Sequence, residues 1–205
     1  MLLMNKPYVL SFTVGSLFWH ESIKATELFH EYGDWSLVKA RLLGDNILQI
    51  KKESSKRKIV TSLINRLELL KAEEISFFSS SSDRDQKYLL WIAICRQYSF
   101  IHDFALEVLH NRFILLEKKL EYKHFDEFIE SKAFWHPELE EIISSTRKKL
   151  RQVLFRMMRE AGVLSDENQI IQAIPSRGLA DLISRDKFQE LLLLPVFEND
   201  LKRGV

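Results

Sequence analysis

The pattern of apolar and polar positions predicts a protein made mainly of α-helices. Apolar side chains recur three and four positions apart, the spacing of one helix face, over much of the chain. The segments with this pattern are 21–32, 35–42, 54–70, 85–98, 103–119, 124–133 and 146–161. Segments 85–98 and 103–119 are apolar on more than one side, which predicts that they form the buried centre of the fold. The low counts of glycine (6) and proline (4) favour long helices over a turn-rich β-fold.

The predicted helix 146–161 is the most informative of these segments. Its apolar side chains form one stripe, and the other side carries Lys148, Lys149, Arg151, Gln152, Arg156 and Arg159. Ser145 or Thr146 is expected to cap its start, and Gly162 is expected to end it. Cations in the first turn oppose the helix dipole, so their presence there is typical of a helix offered to a phosphate backbone. An ordinary solvated face is the alternative interpretation.

Segment 54–70 repeats this pattern without gaps. Arg57, Lys58 and Arg66 match Arg147, Lys148 and Arg156, and the apolar positions coincide as well. Two explanations stay open. The likeness follows either from amphipathicity alone or from two copies of a helix-turn-helix-like unit, each presenting its second helix.

The C-terminal part predicts a winged helix-turn-helix variant. Pro137 marks the start of a helix over 137–143, and a Ser-Ser turn then leads into the basic helix. Segments 169–174 and 191–196 are predicted strands that pair as a hairpin, with a helix capped by Ser176 between them. The fold class is therefore mainly α, a helical bundle with helix-turn-helix-like units and a small C-terminal β-hairpin or wing. Because the serine run 79–82 is the best boundary, we expect three units: 1–78, 79–134 and 135–205.

Composition limits the classes of function. With 30 Lys and Arg against 29 Asp and Glu, the formal net charge is +1, so any signal for nucleic acid must be local. Cys95 is the only cysteine, which excludes an internal disulfide and fits a reducing cytoplasm. No apolar run approaches the ~20 residues of a membrane span. We expect a soluble cytoplasmic protein, and the sequence does not predict its oligomeric state.

The sequence carries no motif for catalysis. A glycine-rich phosphate loop, a paired Cys-x-x-Cys and a nucleophile elbow are all absent from it. Glu107 and His110 have the spacing of half a di-metal site, but no second half exists. If Asp103 and Glu107 are buried, we expect them to pair with basic residues, for example Arg96 or Arg112. We therefore expect a protein that is not an enzyme and has no metal or cofactor.

Several segments carry a resemblance to the BrxA family of BREX (bacteriophage exclusion) phage-resistance systems. The most specific is the run from Thr146 to Leu164, and the likeness covers nearly the whole chain in order. The other matching pieces are Tyr8, Ser11-Phe12, Gly15–Leu17, Asp34-Trp35, Asn46–Leu48, Arg66-Leu67, Leu69-Leu70, Leu89–Ala93, Tyr98–Val108 and Leu194–Val196. The resemblance implies a non-enzymatic, mostly helical protein that acts with a methyltransferase, an ATPase and other BREX proteins. It also implies a fold like that of the antitermination factor NusB and binding to duplex DNA.

The predicted DNA contacts rest on the two basic helix faces. Lys and Arg on these faces would neutralise phosphates, while Gln152 would reach a base edge if the helix enters a major groove. The candidate site residues are Arg147, Lys148, Lys149, Arg151, Gln152, Arg156, Arg159, Lys56, Arg57 and Lys58. Two alternatives remain: a protein-interaction adaptor within the BREX complex, and a NusB-like RNA-binding module.

Overall fold

A computed structural model of the chain describes residues 7–203, apart from the side chains of Val14, Asp186, Lys202 and Arg203. Residues 1–6 and 204–205, at the outer ends of the first and third predicted units, lie outside the described residues. The described chain contains eleven α-helices: α1 Trp19–Tyr32, α2 Trp35–Gly44, α3 Glu53–Leu67, α4 Ala72–Ser80, α5 Asp83–Gln97, α6 Ser99–Phe104, α7 Asn111–Ile114, α8 Tyr122–Ala133, α9 Ser144–Glu160, α10 Arg177–Lys187 and α11 Glu198–Arg203. A π-helical stretch, Ala105–His110, joins α6 to α7.

Helix α5 lies at the centre of the fold, as its pattern predicts. Every residue from Tyr88 to Cys95 is buried, and α5 contacts α1, α3, α4 and α9. The indole nitrogen of Trp91 donates a hydrogen bond of 2.8 Å to the carbonyl of Leu193, which fixes the C-terminal segment on this core. Burial raises the pKa of the Cys95 thiol well above its ordinary value, so the thiolate is disfavoured.

Several predicted helix boundaries are confirmed. Gly33 and Gly162 follow α1 and α9 with φ angles of +65° and +75°, the left-handed conformation that glycine adopts without a steric penalty. The carboxylate of Asp34 accepts from the amide of Ser36 and so caps α2. The predicted cap of α9 is wrong, because α9 begins at Ser144 after Ile143 and no side chain caps it.

The predicted C-terminal wing is wrong. Residues 7–203 contain no strand, and segment 169–174 takes part only in isolated bridges, Lys119 with Gln169 and Leu164 with Ile170. Segment 191–196 begins in a 3-10 helix, Phe188–Leu193, whose residues Leu191 and Leu193 are buried. A short apolar run fits a strand and a buried helical turn equally well, and here the packing against α5 favours the turn.

The helix predicted over 137–143 is one turn of 3-10 helix, Pro137–Leu139. That turn contacts α8, and the helix that lies beside the start of α9 is α8 itself. The predicted outline of helix, Ser-Ser turn and basic helix is therefore absent before α9. Pro137 starts the turn as expected. Ile143, however, is 67% exposed, so the residues after the turn do not bury the apolar face that would stabilise a longer helix.

One cluster of buried side chains includes residues from all three predicted units. The serine run that suggested a boundary forms the last turn of α4 and supplies Ser82 as the cap of α5. The division of the chain into three units stays a prediction.

Residues 8–18 form a segment that we call the strap, which crosses α9, α3 and α6. Tyr8 lies at one end, where its hydroxyl donates to Asp103 at 2.6 Å and its amide donates to Glu138 at 2.7 Å. Phe12 is buried in the core. Gly15 lies so close to α9 that a Cβ atom there would overlap Met157 and Val153. The strap therefore approaches α9 at a position that only glycine allows.

Candidate nucleic-acid interface

The first turns of α9 carry two arginines that α8 neutralises. Arg147 donates through Nε to Asp126 Oδ1 at 2.9 Å and through Nη2 to Glu130 at 2.9 Å. Arg151 donates to the other oxygen of Asp126, and its guanidinium lies 4.9 Å from the centre of the Tyr122 ring. These two residues were predicted as free phosphate contacts. The structure corrects this, because their charges are balanced by carboxylates and only 28% and 21% of their side-chain areas are exposed.

Three of the predicted contacts on α9 face solvent without a partner among the described residues. Lys148, Lys149 and Gln152 are exposed, and within the described part of the chain none of them has a hydrogen bond or an ion pair. The opposite side of α9 buries Leu150, Val153, Leu154, Phe155, Met157 and Met158, so the helix is firmly held on the core. The structure therefore presents two adjacent free ammonium groups and one amide on a rigid helix.

The C-terminal half of α9 is engaged with other parts of the chain. Arg156 donates to the carbonyl of Gly15 in the strap and lies 3.9 Å from Glu160. Arg159 donates to Asn168 Oδ1 at 2.7 Å. Both were predicted as phosphate contacts. Arg156 keeps half of its side chain exposed, whereas Arg159 is bonded to Asn168 in the loop that follows α9.

The three predicted contacts on α3 differ from one another. Lys56 is buried, where its ammonium donates to the carbonyl of Leu43 at 2.7 Å and pairs with Glu53 at 2.9 Å. Its position corrects the prediction that it contacts DNA. Arg57 has 73% of its side chain exposed and, among the described residues, a single ion pair, to Glu53 at 3.3 Å. Lys58 is exposed and has no ion pair among residues 7–203. Arg57 and Lys58 remain available to a ligand.

The matched arginines Arg66 and Arg156 have a shared structural role. Arg66 of α3 is fully buried and donates to the carbonyls of Ser16 and Leu17, at 3.0 and 2.7 Å. Burial lowers the pKa of Arg66 to about 10. Arg156 of α9 donates to the carbonyl of Gly15, so three successive carbonyls of the strap accept hydrogen bonds from the two helices. The strap is therefore attached to both.

The acidic residues predicted to pair inside the fold have other partners. Asp103 accepts from Tyr8 and contacts His102 at 3.1 Å, whereas Glu107 pairs with Lys132. Asp103 is half-buried and Glu107 is exposed, so the burial on which the predicted pairing with Arg96 or Arg112 depended is not observed. Arg96 instead binds Glu74 and Glu190, and Arg112 binds Glu117. Burial raises the pKa of Asp103, but hydrogen bonds from His102 and Tyr8 outweigh it and hold that pKa below its ordinary value.

Two further observations concern the described residues as a whole. They contain no group of three or more His, Cys, Asp and Glu side chains that could hold a metal ion. Between residues 7 and 203, no helix has the length and apolar character needed to cross a bilayer.

Sequence reasoning missed the acids that balance α9. Asp126 and Glu130 lie on α8 in i, i+4 positions, which places them on one helix face. Arg147 and Arg151 also lie four residues apart. Matching i, i+4 pairs of opposite charge on neighbouring helices are the signal that predicts this pairing.

Comparison with known proteins gives consistent results. The family model described as BrxA matches residues 6–187. A BREX protein BrxA from Escherichia coli O9:H4 (strain HS) is 23% identical over 203 residues, 99% of this chain and 88% of that protein. A BREX protein BrxA from Bacillus cereus (strain H3081.97) is 28% identical over 130 residues, 63% of this chain and 65% of that protein.

A solved structure has the same fold. The crystal structure of an uncharacterized protein from Magnetospirillum magneticum has a TM-score of 0.79 at 20% identity, covering 93% of this chain and 98% of that chain. This likeness concerns the fold alone. Because the family model spans most of the sequence, the chain belongs to the BrxA family.

Proposed function

We propose that this protein is a non-enzymatic component of a BREX system that binds duplex DNA through the exposed cations of α9 and α3. The observation that carries the proposal is the pair Lys148 and Lys149, which are exposed and unpaired in the described structure on a helix fixed to the core. Unpaired cations on a rigid element neutralise phosphates without first breaking internal ion pairs. Other BREX proteins, including the methyltransferase and the ATPase, are the proposed partners.

The proposed contact set is smaller than the basic pattern of the sequence suggests. It consists of Lys148, Lys149 and Gln152 on α9 and of Arg57 and Lys58 on α3. Phosphate contacts position a protein on DNA without reading its sequence. Since Gln152 is the one uncharged member, it is the side chain suited to a base edge.

A protein-interaction adaptor is the second candidate, because the chain exposes an aromatic pair. Phe134 and Trp135 are 78% and 58% exposed and contact each other edge to face. Glu130, near the end of α8, contacts Arg147, near the start of α9. Phe134 follows Glu130 by one helical turn, and Ile143 precedes Arg147 by one turn. Phe134 and Ile143 therefore lie at the same end of the α8–α9 pair. Exposed aromatic and aliphatic side chains are typical of protein interfaces.

A salt series with charge-reversal variants tests the proposal. Lys148→Glu/Lys149→Glu is expected to weaken binding to a 20-base-pair duplex at least tenfold and to reduce the slope of log K against log salt by about two. Glutamate is a good helix former and both positions are exposed, so the variant should keep its thermal stability. The matched control is Lys118→Glu/Lys119→Glu, an adjacent exposed lysine pair outside α9.

The proposal fails if the wild type does not bind duplex DNA or if both double variants lose affinity equally. Tighter binding of duplex RNA than of duplex DNA would favour an RNA-binding module instead. If no nucleic acid binds, loss of co-purification with BREX proteins in Trp135→Ala would support the adaptor.

A further inference from the structure

A groove runs between the strap and α3. Its volume is about 790 Å³, within the range of about 300–1,000 Å³ for ligand sites in proteins. The helix side of the groove is one face of α3, formed by Arg57, Thr61 and Asn65 at intervals of four residues, and Leu69 lies just beyond the end of the helix. Asn65 is eight positions after Arg57, so this face extends over roughly 12 Å. The groove therefore has the shape for an extended ligand.

The lining of the groove has an unusual chemical bias. It contains hydroxyl, amide and cationic side chains, and none of its twelve residues is an aspartate or a glutamate. Hydroxyls come from both sides, for example Ser11 on the strap and Ser62 on α3. Ser, Thr, Asn, Gln, Tyr, Arg and Lys are the side chains that supply most protein contacts to sugar and phosphate in DNA complexes. The lining thus fits a sugar–phosphate chain.

The cations of the groove are not equally available. Arg96 is held by Glu74 and Glu190, and hydrogen bonds to these carboxylates raise its pKa despite the opposing effect of burial. Arg57 has its single contact to Glu53. Lys58 has no ion pair in the part of the chain that the structure describes. The positive end of the groove is therefore the Arg57–Lys58 end.

The opposite end contains an unsatisfied polar atom. The side-chain oxygen of Gln97 is buried and accepts no hydrogen bond from the described residues. A buried acceptor without a donor costs about 1–3 kcal/mol. Because Gln97 lines the groove, a sugar hydroxyl or a base amino group lying there is able to donate to it.

We propose that the groove between the strap and α3 binds the sugar–phosphate backbone of one nucleic-acid strand. Phosphates lie at Arg57 and Lys58, and the sugars continue along Thr61 and Asn65 toward Gln97. The volume holds one strand, which belongs either to a duplex or to an unpaired region. The inference rests on the proposed function in that the ligand is a nucleic acid, but it requires none of the contacts of α9.

One substitution in the groove and one outside it test this inference. Asn65→Glu places a carboxylate in the groove, and Asn199→Glu makes the same exchange at an exposed position of α11 outside it. Glutamate is a good helix former and neither asparagine side chain makes a hydrogen bond with the described residues, so both variants should fold. The probes are a fluorescein-labelled 15-nucleotide oligothymidylate and a 15-base-pair duplex.

The expected result is that Asn65→Glu weakens binding of at least one probe by about tenfold, while Asn199→Glu stays within twofold of the wild type. Loss for the duplex identifies a strand of double-stranded DNA in the groove, and loss for the oligothymidylate alone identifies an unpaired strand. Equal losses in both variants, or no loss in either, would overturn the inference. A circular dichroism melt of each variant separates loss of binding from loss of folding.

The test distinguishes the two proposals from each other. If the groove variant weakens binding and Lys148→Glu/Lys149→Glu does not, the groove stands and the assignment of α9 fails. If the α9 variant alone weakens binding, the groove fails and the proposed function stands. A wild-type protein that binds neither probe refutes both.

Discussion

Helices α3 and α9 share a sequence pattern but use their matched cations differently. Lys58 and Lys148 are both exposed, whereas Arg57 is 73% exposed and Arg147 only 28%. The difference comes from their neighbours, because α8 places Asp126 and Glu130 beside α9. Charge along one helix therefore predicts a basic surface only when the acids of the adjacent helix are known.

The matched arginines at the other ends of the two helices predict the largest difference. We expect Arg66→Ala to lower the free energy of unfolding by about 3–5 kcal/mol, because it leaves two strap carbonyls without donors and opens a cavity. Arg156→Ala should cost about 1 kcal/mol, since that side chain is half exposed. Urea denaturation measures both. Arg66→Met, which keeps volume, should recover part of the loss, and equal costs for the two alanine variants would contradict this account.

Neutralising Asp126 should make α9 more like α3. Asp126→Asn releases Arg147 and Arg151, so we expect about tenfold tighter duplex binding and a steeper salt dependence. Fluorescence anisotropy over a salt series measures both quantities. Glu130→Gln is the control: among the described residues Glu130 pairs only with Arg147, and it is 69% exposed, so a gain of twofold to threefold is expected. Weaker binding in Asp126→Asn would mean that the two arginines have only a structural role.

The matched lysines should have similar, moderate effects. Lys58→Ala and Lys148→Ala are each expected to weaken duplex binding by about threefold to tenfold and to reduce the salt slope by about one. Lys56→Ala should leave the affinity unchanged, because its buried ammonium donates to Leu43 and Glu53. If one of the two exposed lysines has no effect, the helix that carries it does not contact the DNA.

The smallest effect concerns the Tyr8 end of the strap, away from both helices. Because the pKa of Asp103 is lowered in the folded state, its stabilising contribution is complete above its unfolded pKa of about 3.9 and is lost as the pH falls through the lower folded value. The difference in urea midpoint between the wild type and Asp103→Asn should therefore shrink as the pH falls below about 4. A difference that stays constant with pH would exclude ionisation as its cause.

The sequence predicts the parts of the fold that depend on local pattern. The burial of α5 follows from apolar side chains on more than one of its sides, and the ends of α1 and α9 follow from Gly33 and Gly162. The buried face of α9 is also the apolar stripe that the spacing of its apolar residues predicts. These features need no knowledge of distant residues.

The features that sequence reasoning missed depend on contacts between distant segments. Asp126 is 21 residues from Arg147 and 25 from Arg151, and periodicity does not report such pairs. The burial of Lys56 depends on the position of Leu43 in α2. The wing failed for a different reason, since the run 191–196 is too short for its pattern to separate a strand from a turn.

The attachment of the strap has a consequence for any extended ligand. Arg66 and Arg156 donate hydrogen bonds to three consecutive carbonyls of the strap. The strap thereby connects α3 to α9, the two helices that carry the free lysines. The distance between the free lysines of α3 and those of α9 is then set by the fold. A polyanion that contacts the lysines of both helices must bend to match this distance. The energy needed to bend it therefore contributes to which polyanions bind.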